Sequence, residues 1–293
     1  MEIRFGPLLF IGGKNSGRYP CCHSVFVDGN SKILIDPGSD RERLCQLREN
    51  PGVDTVWLSH AHEDHFKDLD LFEDSELWIA ESDACSLESL DNFYDASGMT
   101  EGERELYHEP MLRDFHFKSR RADRFFFGEE TIDLGGVTVD VISTPGHTPG
   151  NCSFYFREPE LLFLGDYDLT PFGPWYGDAK SDIGATISSI NRLRSIPAKA
   201  WIVSHESGIF LSEPGDLWDR YLHTIDEREA RLLDLLRTPR SMPEIIDARV
   251  LYGKRRVPEG LYQIGERGHM SKHLERLINR GIVVLEDGTY RLA

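Results

Sequence analysis

The chain has 293 residues, 40% hydrophobic and 28% charged, which suits a globular protein with a sizeable core and exceeds the roughly 150 residues of one ordinary domain. Lys and Arg number 33 against 50 Asp and Glu, a formal net charge of −17, and a surface that acidic disfavours a nucleic-acid partner. No apolar run approaches the ~20 residues that span a bilayer, and Met1–Phe10 has no long apolar stretch behind a basic one, so neither a membrane partner nor a signal peptide is expected.

The first 60 residues read as short strands joined by turns. Ser24–Val27 and Lys32–Ile35 flank Asp28-Gly29-Asn30, a hairpin pattern of apolar runs around an Asp-Gly turn. Asp36-Pro37-Gly38 stops the second strand, and a helical stretch through Leu44 and Leu47 follows. Thr55–Ser59 is a short buried strand leading into a histidine cluster. The strand pattern returns at Thr131–Leu134, Val137–Ile142, Ser153–Phe156 and Leu161–Leu164, and helix Ile183–Leu193 and strand Ala200–Val203 complete the set. Two blocks of strands with helices between them predict two packed sheets covered by helices, an α/β architecture.

Two regions break this rhythm. Residues 73–124, rich in charge and aromatics, predict an inserted helical cap. Residues 1–224 with that insertion form one domain, and 225–293 a second. In the second, Leu232, Leu233, Leu235 and Leu236 supply an apolar stripe, and Ser241-x-x-Glu244 with Pro243 in the first turn is a capping-box start. A third helix is expected from about Met270, where Met270, Leu274, Leu277 and Ile278 recur at helical spacing. Gly281 caps it, and Ile282–Leu285 and Thr289–Leu292 pair across Asp287-Gly288. Three helices and a hairpin predict a winged-helix-like domain.

The chemistry concentrates in His60-Ala61-His62-Glu63-Asp64-His65, three imidazoles and an aspartate at the end of a buried strand. Neutral imidazole is a preferred ligand of zinc and similar metals. Further on, His147 leaves a strand on Thr144-Pro145-Gly146, Asp166 ends another after Leu164-Gly165, and His205 follows Ala200–Val203. Each polar residue sits where a strand stops, so all can converge on one edge of the sheets. The other histidines (His23, His108, His116, His223, His269, His273) are expected to be structural or exposed. The cysteines, five in number and without a C-x-x-C, fit reduced thiols and a cytoplasmic protein.

In H-x-H-x-D-H, the later P-G-H-T-P-G, the Gly-Asp and the final His, the chain from about residue 20 to 210 resembles the metallo-β-lactamase superfamily. The resemblance implies an αββα sandwich. It also implies that His60, His62 and His147 hold one metal, that Asp64, His65 and His205 hold a second, and that Asp166 bridges them. Two divalent metal ions are thus implied, zinc first, with iron or manganese as alternatives. Sharing a water, they would lower its pKa from about 15.7 towards ~7 and provide a bridging hydroxide, with Asp64 also handling the transferred proton. The C-terminal part resembles the winged-helix tail of lactamase-like hydrolases.

The leading expectation is a dinuclear metal-dependent hydrolase of a small ester, thioester or lactone. A metal-dependent endoribonuclease or phosphodiesterase and a non-catalytic metal-binding effector are the alternatives. Residues 228–293 carry 13 Lys and Arg against 9 Asp and Glu, weak support for nucleic acid. The expected partner is a small molecule, and the tail is expected to shape the site's mouth or to form a homodimer contact. The loop Asp168–Asp182, with Trp175 and Tyr176, is expected to wall the pocket. Lys118, Arg120, Arg121 and Arg124 are expected to attract an anionic substrate group.

Overall fold

The computed structural model describes residues 1–293. Seven strands form the first sheet in sequence order: β1 (Glu2–Phe5), β2 (Leu8–Ile11), β3 (Ser24–Asp28), β4 (Lys32–Ile35), β5 (Thr55–Trp57), β6 (Glu76–Ala80) and β7 (Arg124–Phe126). The first four pair antiparallel, and β4 through β7 pair parallel. The second sheet holds β8 (Glu130–Asp133), β9 (Thr138–Ser143), β10 (Cys152–Phe156), β11 (Leu161–Phe163), β12 (Ala200–Ile202) and β13 (Ile209–Phe210). Its pairs are antiparallel except β11 with β12, which run parallel.

Period-two alternation sets the layers. Val25, Val27, Ile33, Ile35 and Trp57 of the first sheet meet Val139, Val141, Phe154, Phe156 and Phe163 of the second in one core. The intervening residues Phe26, Leu34 and Val56 face outward onto Leu44 and Leu47 of α1 (Arg41–Glu49), Phe93 of α3 (Leu90–Ser97) and Tyr107 and Met111 of α4 (Glu101–Arg113). On the far side Ile142, Leu162 and Trp201 pack on Ile190 and Leu193 of α5 (Ile183–Arg194) and on Trp218 and Tyr221 of α6 (Leu217–Leu235). The result is the αββα sandwich, with both sheets covered.

Three expectations need adjustment. The cap expected over 73–124 is partly sheet: β6 is parallel to β5, and β7 starts at Arg124. Leu77 and Ile79 are fully buried in the core beneath α3 and α4. Only α2 (Glu81–Ala84), α3 and α4 form the cap. The boundary at 224/225 falls inside α6, whose Tyr221 belongs to the sandwich and whose Leu232 belongs to the tail core with Ile245, Met270, Leu274 and Leu277. The tail continues through α7 (Met242–Ala248), α8 (Glu259–Asn279) and the hairpin β14 (Val283–Glu286) with β15 (Thr289–Leu292). Thus α8 starts eleven residues before the expected Met270, through a stretch whose Gly260, Gly265 and Gly268 weaken the helical signal. No helix is long and apolar enough to cross a membrane.

Candidate metal centre

Five strand ends deliver the site. Asp36 follows β4, His60–His65 follow β5, His147 follows β9, Asp166 follows β11 and His205 follows β12. Parallel pairing of β4 with β5 and of β11 with β12 brings these ends to one edge of the sandwich. The turn before His147 depends on Gly146, at φ +129°, where an added Cβ would overlap the Thr186 amide at the start of α5.

All seven predicted residues come together. The candidate ligand atoms of His60, His62, His147 and Asp166 lie within 4.8 Å of one another, as do those of Asp64, His65 and His205. Asp166 faces both sets. Its Oδ1 is 2.8 Å from His65 Nε2 and 3.4 Å from His205 Nε2, while its Oδ2 is 3.4 Å from His147 Nε2 and 3.8 Å from His60 Nε2. Asp64 Oδ2 lies 3.5 Å from His205 Nε2.

The outward-facing ring nitrogens are held by other groups. The Ser59 hydroxyl donates to Asp36 Oδ2 at 2.7 Å, so its oxygen accepts from His60 Nδ1–H at 3.0 Å. His65 Nδ1–H donates to Asp36 at 2.9 Å, His147 Nδ1–H to the Trp175 carbonyl at 3.0 Å, and His205 Nδ1–H to the Gly17 carbonyl at 2.5 Å. His62 Nε2–H donates to Asp178 Oδ2 at 2.5 Å. These acceptors fix the tautomers and aim the remaining nitrogens inward. His60 Nε2 lies 3.0 Å from His62 Nδ1 and 3.1 Å from His147 Nε2, so three ring nitrogens converge on one point.

Charge completes the fit. Burial, with the neighbouring His62, lowers His147 to about 4, and burial with His65 holds His60 well below the usual imidazole range. Both rings are neutral at pH 7. Burial would also lower His62, but Asp178 outweighs it and lifts this ring to about 9. Burial is likewise overcome at His65 and His205, which the Asp166 carboxylate raises well above the usual value. The pocket thus draws positive charge towards Asp166, and its imidazole–carboxylate donor set suits a divalent first-row metal. His65 Nε2 and Asp166 Oδ1 are buried with no hydrogen-bond partner of good geometry, as metal-ligating atoms would be.

Three residues missed in the sequence support these ligands. Asp36, fully buried, was read only as a strand stop. Asp178 lies in a Gly-Asp-Ala loop with no distinguishing pattern. Asp83 accepts from the Ala61 amide, the Gly150 amide and the Thr148 hydroxyl, tying the two histidine loops together. A separate cluster, Asp68, Asp70 and His116, is already engaged by Arg41, whose guanidinium lies 2.8 Å from Asp68 and 2.7 Å from Asp70.

Two expectations about the pocket wall change. Tyr176 is fully buried, with its hydroxyl 3.0 Å from Arg228 and 2.9 Å from His273, so it supports the wall and meets no substrate. The insertion cations are engaged elsewhere: Lys118 with Glu73, Arg120 with the Phe72 and Ser75 carbonyls, Arg121 beside Glu88, and Arg124 with Glu130.

A profile of the Metallo-beta-lactamase superfamily matches residues 22–239. A probable metallo-hydrolase from Streptococcus pyogenes is 33% identical over 147 residues, 48% of this chain and 58% of the relative. The hydroxyacylglutathione hydrolase GloC from Haemophilus influenzae is 30% identical over 152 residues, 50% of this chain and 65% of the relative. The chain therefore spans less than two thirds of the length of these curated relatives. Among solved structures, a metallo-beta-lactamase family protein from Thermus thermophilus superimposes with a TM-score of 0.76 at 20% identity, over 98% of this chain and 99% of the other. A beta-lactamase domain protein from Burkholderia ambifaria gives 0.69 at 16% identity, over 100% and 93%. With its αββα sandwich and the profile match across most of its length, the chain belongs to the metallo-β-lactamase superfamily.

Proposed function

We propose that the protein is a dinuclear metal-dependent hydrolase of a small acyl substrate, with thioesters ahead of esters and lactones. The observation that carries this reading is the division of Asp166 between the two imidazole sets, one oxygen towards each. His60, His62 and His147 would hold one ion, Asp64, His65 and His205 the other, and Asp166 both. When bound, such ions supply an acidified water and polarise the carbonyl under attack. Zinc is the first choice, with iron or manganese as alternatives.

The chain's own residues do the rest. Asp36, Trp175 and Asp178 hold the rings in one tautomer and orientation. Asp64, beside His205, is the carboxylate assigned to take the proton at one of its oxygens. Thioesters lead because hydroxyacylglutathione hydrolases are among the relatives. The test is a panel of acyl thioesters, lactones and phosphodiesters on metal-reconstituted protein. Thioester turnover abolished by a chelator and restored by metal is the expected result. Turnover of phosphodiesters alone would overturn the acyl reading.

A further inference from the structure

The loop Trp175–Asp178 has two faces. One holds the first imidazole set: the Trp175 carbonyl accepts from His147 Nδ1–H at 3.0 Å, and Asp178 accepts from His62 Nε2–H at 2.5 Å. The other face is pressed onto α8 of the tail. A Cβ on Gly268 would overlap the Gly177 carbonyl oxygen, one on Gly177 would come within 2.8 Å of His269 Nδ1, and one on Gly265 within 2.9 Å of the Trp175 ring. Gly265 and Gly268 lie three apart, one turn of the same helix face, so they form a flat strip on which the loop lies.

Hydrogen bonds fasten this contact. The Tyr176 amide donates to His269 Nε2 at 3.3 Å, and His269 is itself fixed by donating Nδ1–H to the Gly265 carbonyl at 2.9 Å. Arg228 of α6, 1% exposed, donates to the Pro174 carbonyl at 2.9 Å, to the Phe172 carbonyl and to the Tyr176 hydroxyl. Lys272 of α8 reaches the Ala179 carbonyl at 2.5 Å. A surface loop has no need of a buried arginine and a glycine strip merely to connect two elements. Fixing the two acceptors that orient His62 and His147 does need them.

We infer that helix α8 is a positioning element of the metal centre: Gly268 and His269, with Arg228, set the Trp175–Asp178 loop and thereby the ring orientation of His62 and His147. The effect should therefore be selective. His65 and His205 donate their outer N–H groups to Asp36 and to the Gly17 and Cys21 carbonyls, none of which belongs to the Trp175–Asp178 loop. Disturbing α8 loosens the first ion and spares the second. Groups that orient a metal ligand from outside typically contribute about 10–100-fold in affinity.

This inference rests on the metal-centre reading above, and the experiment separates the two. Metal-free full-length protein is titrated with zinc against a chelating dye, and with cobalt followed by visible absorption. Wild type is compared with Gly268→Ala, His269→Gln and His147→Ala, each checked for a cooperative melt. Gly268→Ala pushes the loop away; His269→Gln exchanges the rigid ring, which accepts from the Tyr176 amide and packs on the Trp175 and Tyr176 rings, for a flexible amide without adding bulk, so it remains informative if the alanine variant folds poorly. The expected result is two ions for wild type and a tenfold or greater loss at one ion in both α8 variants. That ion should be the one His147→Ala abolishes, with a changed cobalt spectrum. If wild type binds two ions and the folded α8 variants keep both at wild-type affinity, the positioning role is wrong and the metal centre stands. If wild type binds none, the metal-centre reading fails and the positioning role with it.

Discussion

Asp36 and His65 share a fully buried hydrogen bond of 2.9 Å, and the same carboxylate takes the Ser59 amide at 2.8 Å and the Ser59 hydroxyl at 2.7 Å. One side chain thus orients rings in both imidazole sets, His65 directly and His60 through Ser59 Oγ. Asp36→Asn preserves the size and suits the left-handed backbone at φ +52°. It replaces one acceptor oxygen with a donor. We expect both ions to weaken, by about 10–100-fold in competition titrations. Weakening of one ion alone would show that the Ser59 relay contributes nothing.

Asp166→Asn and His205→Ala should separate the shared ligand from an unshared one. The first removes a charge that faces four imidazoles and should lower the content of both ions. The second should lower mainly one. Metal analysis finding a single tightly held ion in wild type, unaffected by His205→Ala, would defeat the two-metal assignment.

Wall residues should divide into support and bystander. Tyr176→Phe strips two hydrogen bonds from a fully buried hydroxyl and leaves Arg228 and His273 short of a partner. A loss of about 1–3 kcal/mol in thermal stability is expected, with KM unchanged at saturating metal. Arg121→Ala should match wild type in both stability and kinetics, since its side chain is 86% exposed and its nearest acid, Glu88, is 3.7 Å away. A KM increase confined to anionic substrates in Arg121→Ala would return that cation to the pocket.

Acid should loosen the tail. Burial, followed by the charge of Arg228, holds His269 well below the usual imidazole value, and burial also lowers His273. His269 faces the Tyr176 amide, the Gly265 carbonyl and the Phe172 and Trp175 rings, with no carboxylate among its partners. A histidine depressed on folding costs no stability above its unfolded value of about 6.5. Below that, the unfolded chain takes up a proton that the folded chain refuses, so stability falls with pH by up to about 1.4 kcal/mol per unit per histidine. In metal-free protein melted between pH 7.5 and 5, His269→Gln should show a shallower decline in Tm than wild type. An equal slope would mean that His269 does not titrate between the two states.

Removing the tail should be severe. Truncation after Pro239 leaves Leu232 and Leu236, 0% and 1% exposed, without Ile245, Met270 and Leu274 to cover them. Aggregation in light scattering is the expected outcome. A monodisperse, metal-replete fragment would contradict it.

The candidate ligands were legible in the sequence because H-x-H-x-D-H packs four of them into one strand end, and because His147, Asp166 and His205 each follow an apolar run. Asp36 and Asp178 were not, since an aspartate before Pro-Gly or in a polar loop looks like a turn residue until folding sets it beside an imidazole. β6 was hidden because the residue between the buried Leu77 and Ile79 is the half-buried Trp78, stacked on Trp57, so the apolar run shows no polar alternation in the sequence although burial alternates in the fold. The first half of α8 was hidden by glycines that lower helix propensity, two of which sit under Trp175 and Gly177. Tyr176 was read as wall lining because aromatics in a Pro/Gly loop often meet ligand, whereas here the hydroxyl had a buried arginine to satisfy.

Helix α6, 19 residues and about 28 Å of rigid rod, carries both Trp218 in the sandwich core and Leu232 in the tail core without a break. The azimuth of the tail about that rod is therefore encoded in residue count. One residue added between Glu229 and Leu232 would turn everything beyond it by about 100° and carry the glycine strip off the loop, while seven would nearly restore the phase at a separation of about 10 Å. Grafting this tail onto another sandwich is a problem of helical register before it is one of surface matching.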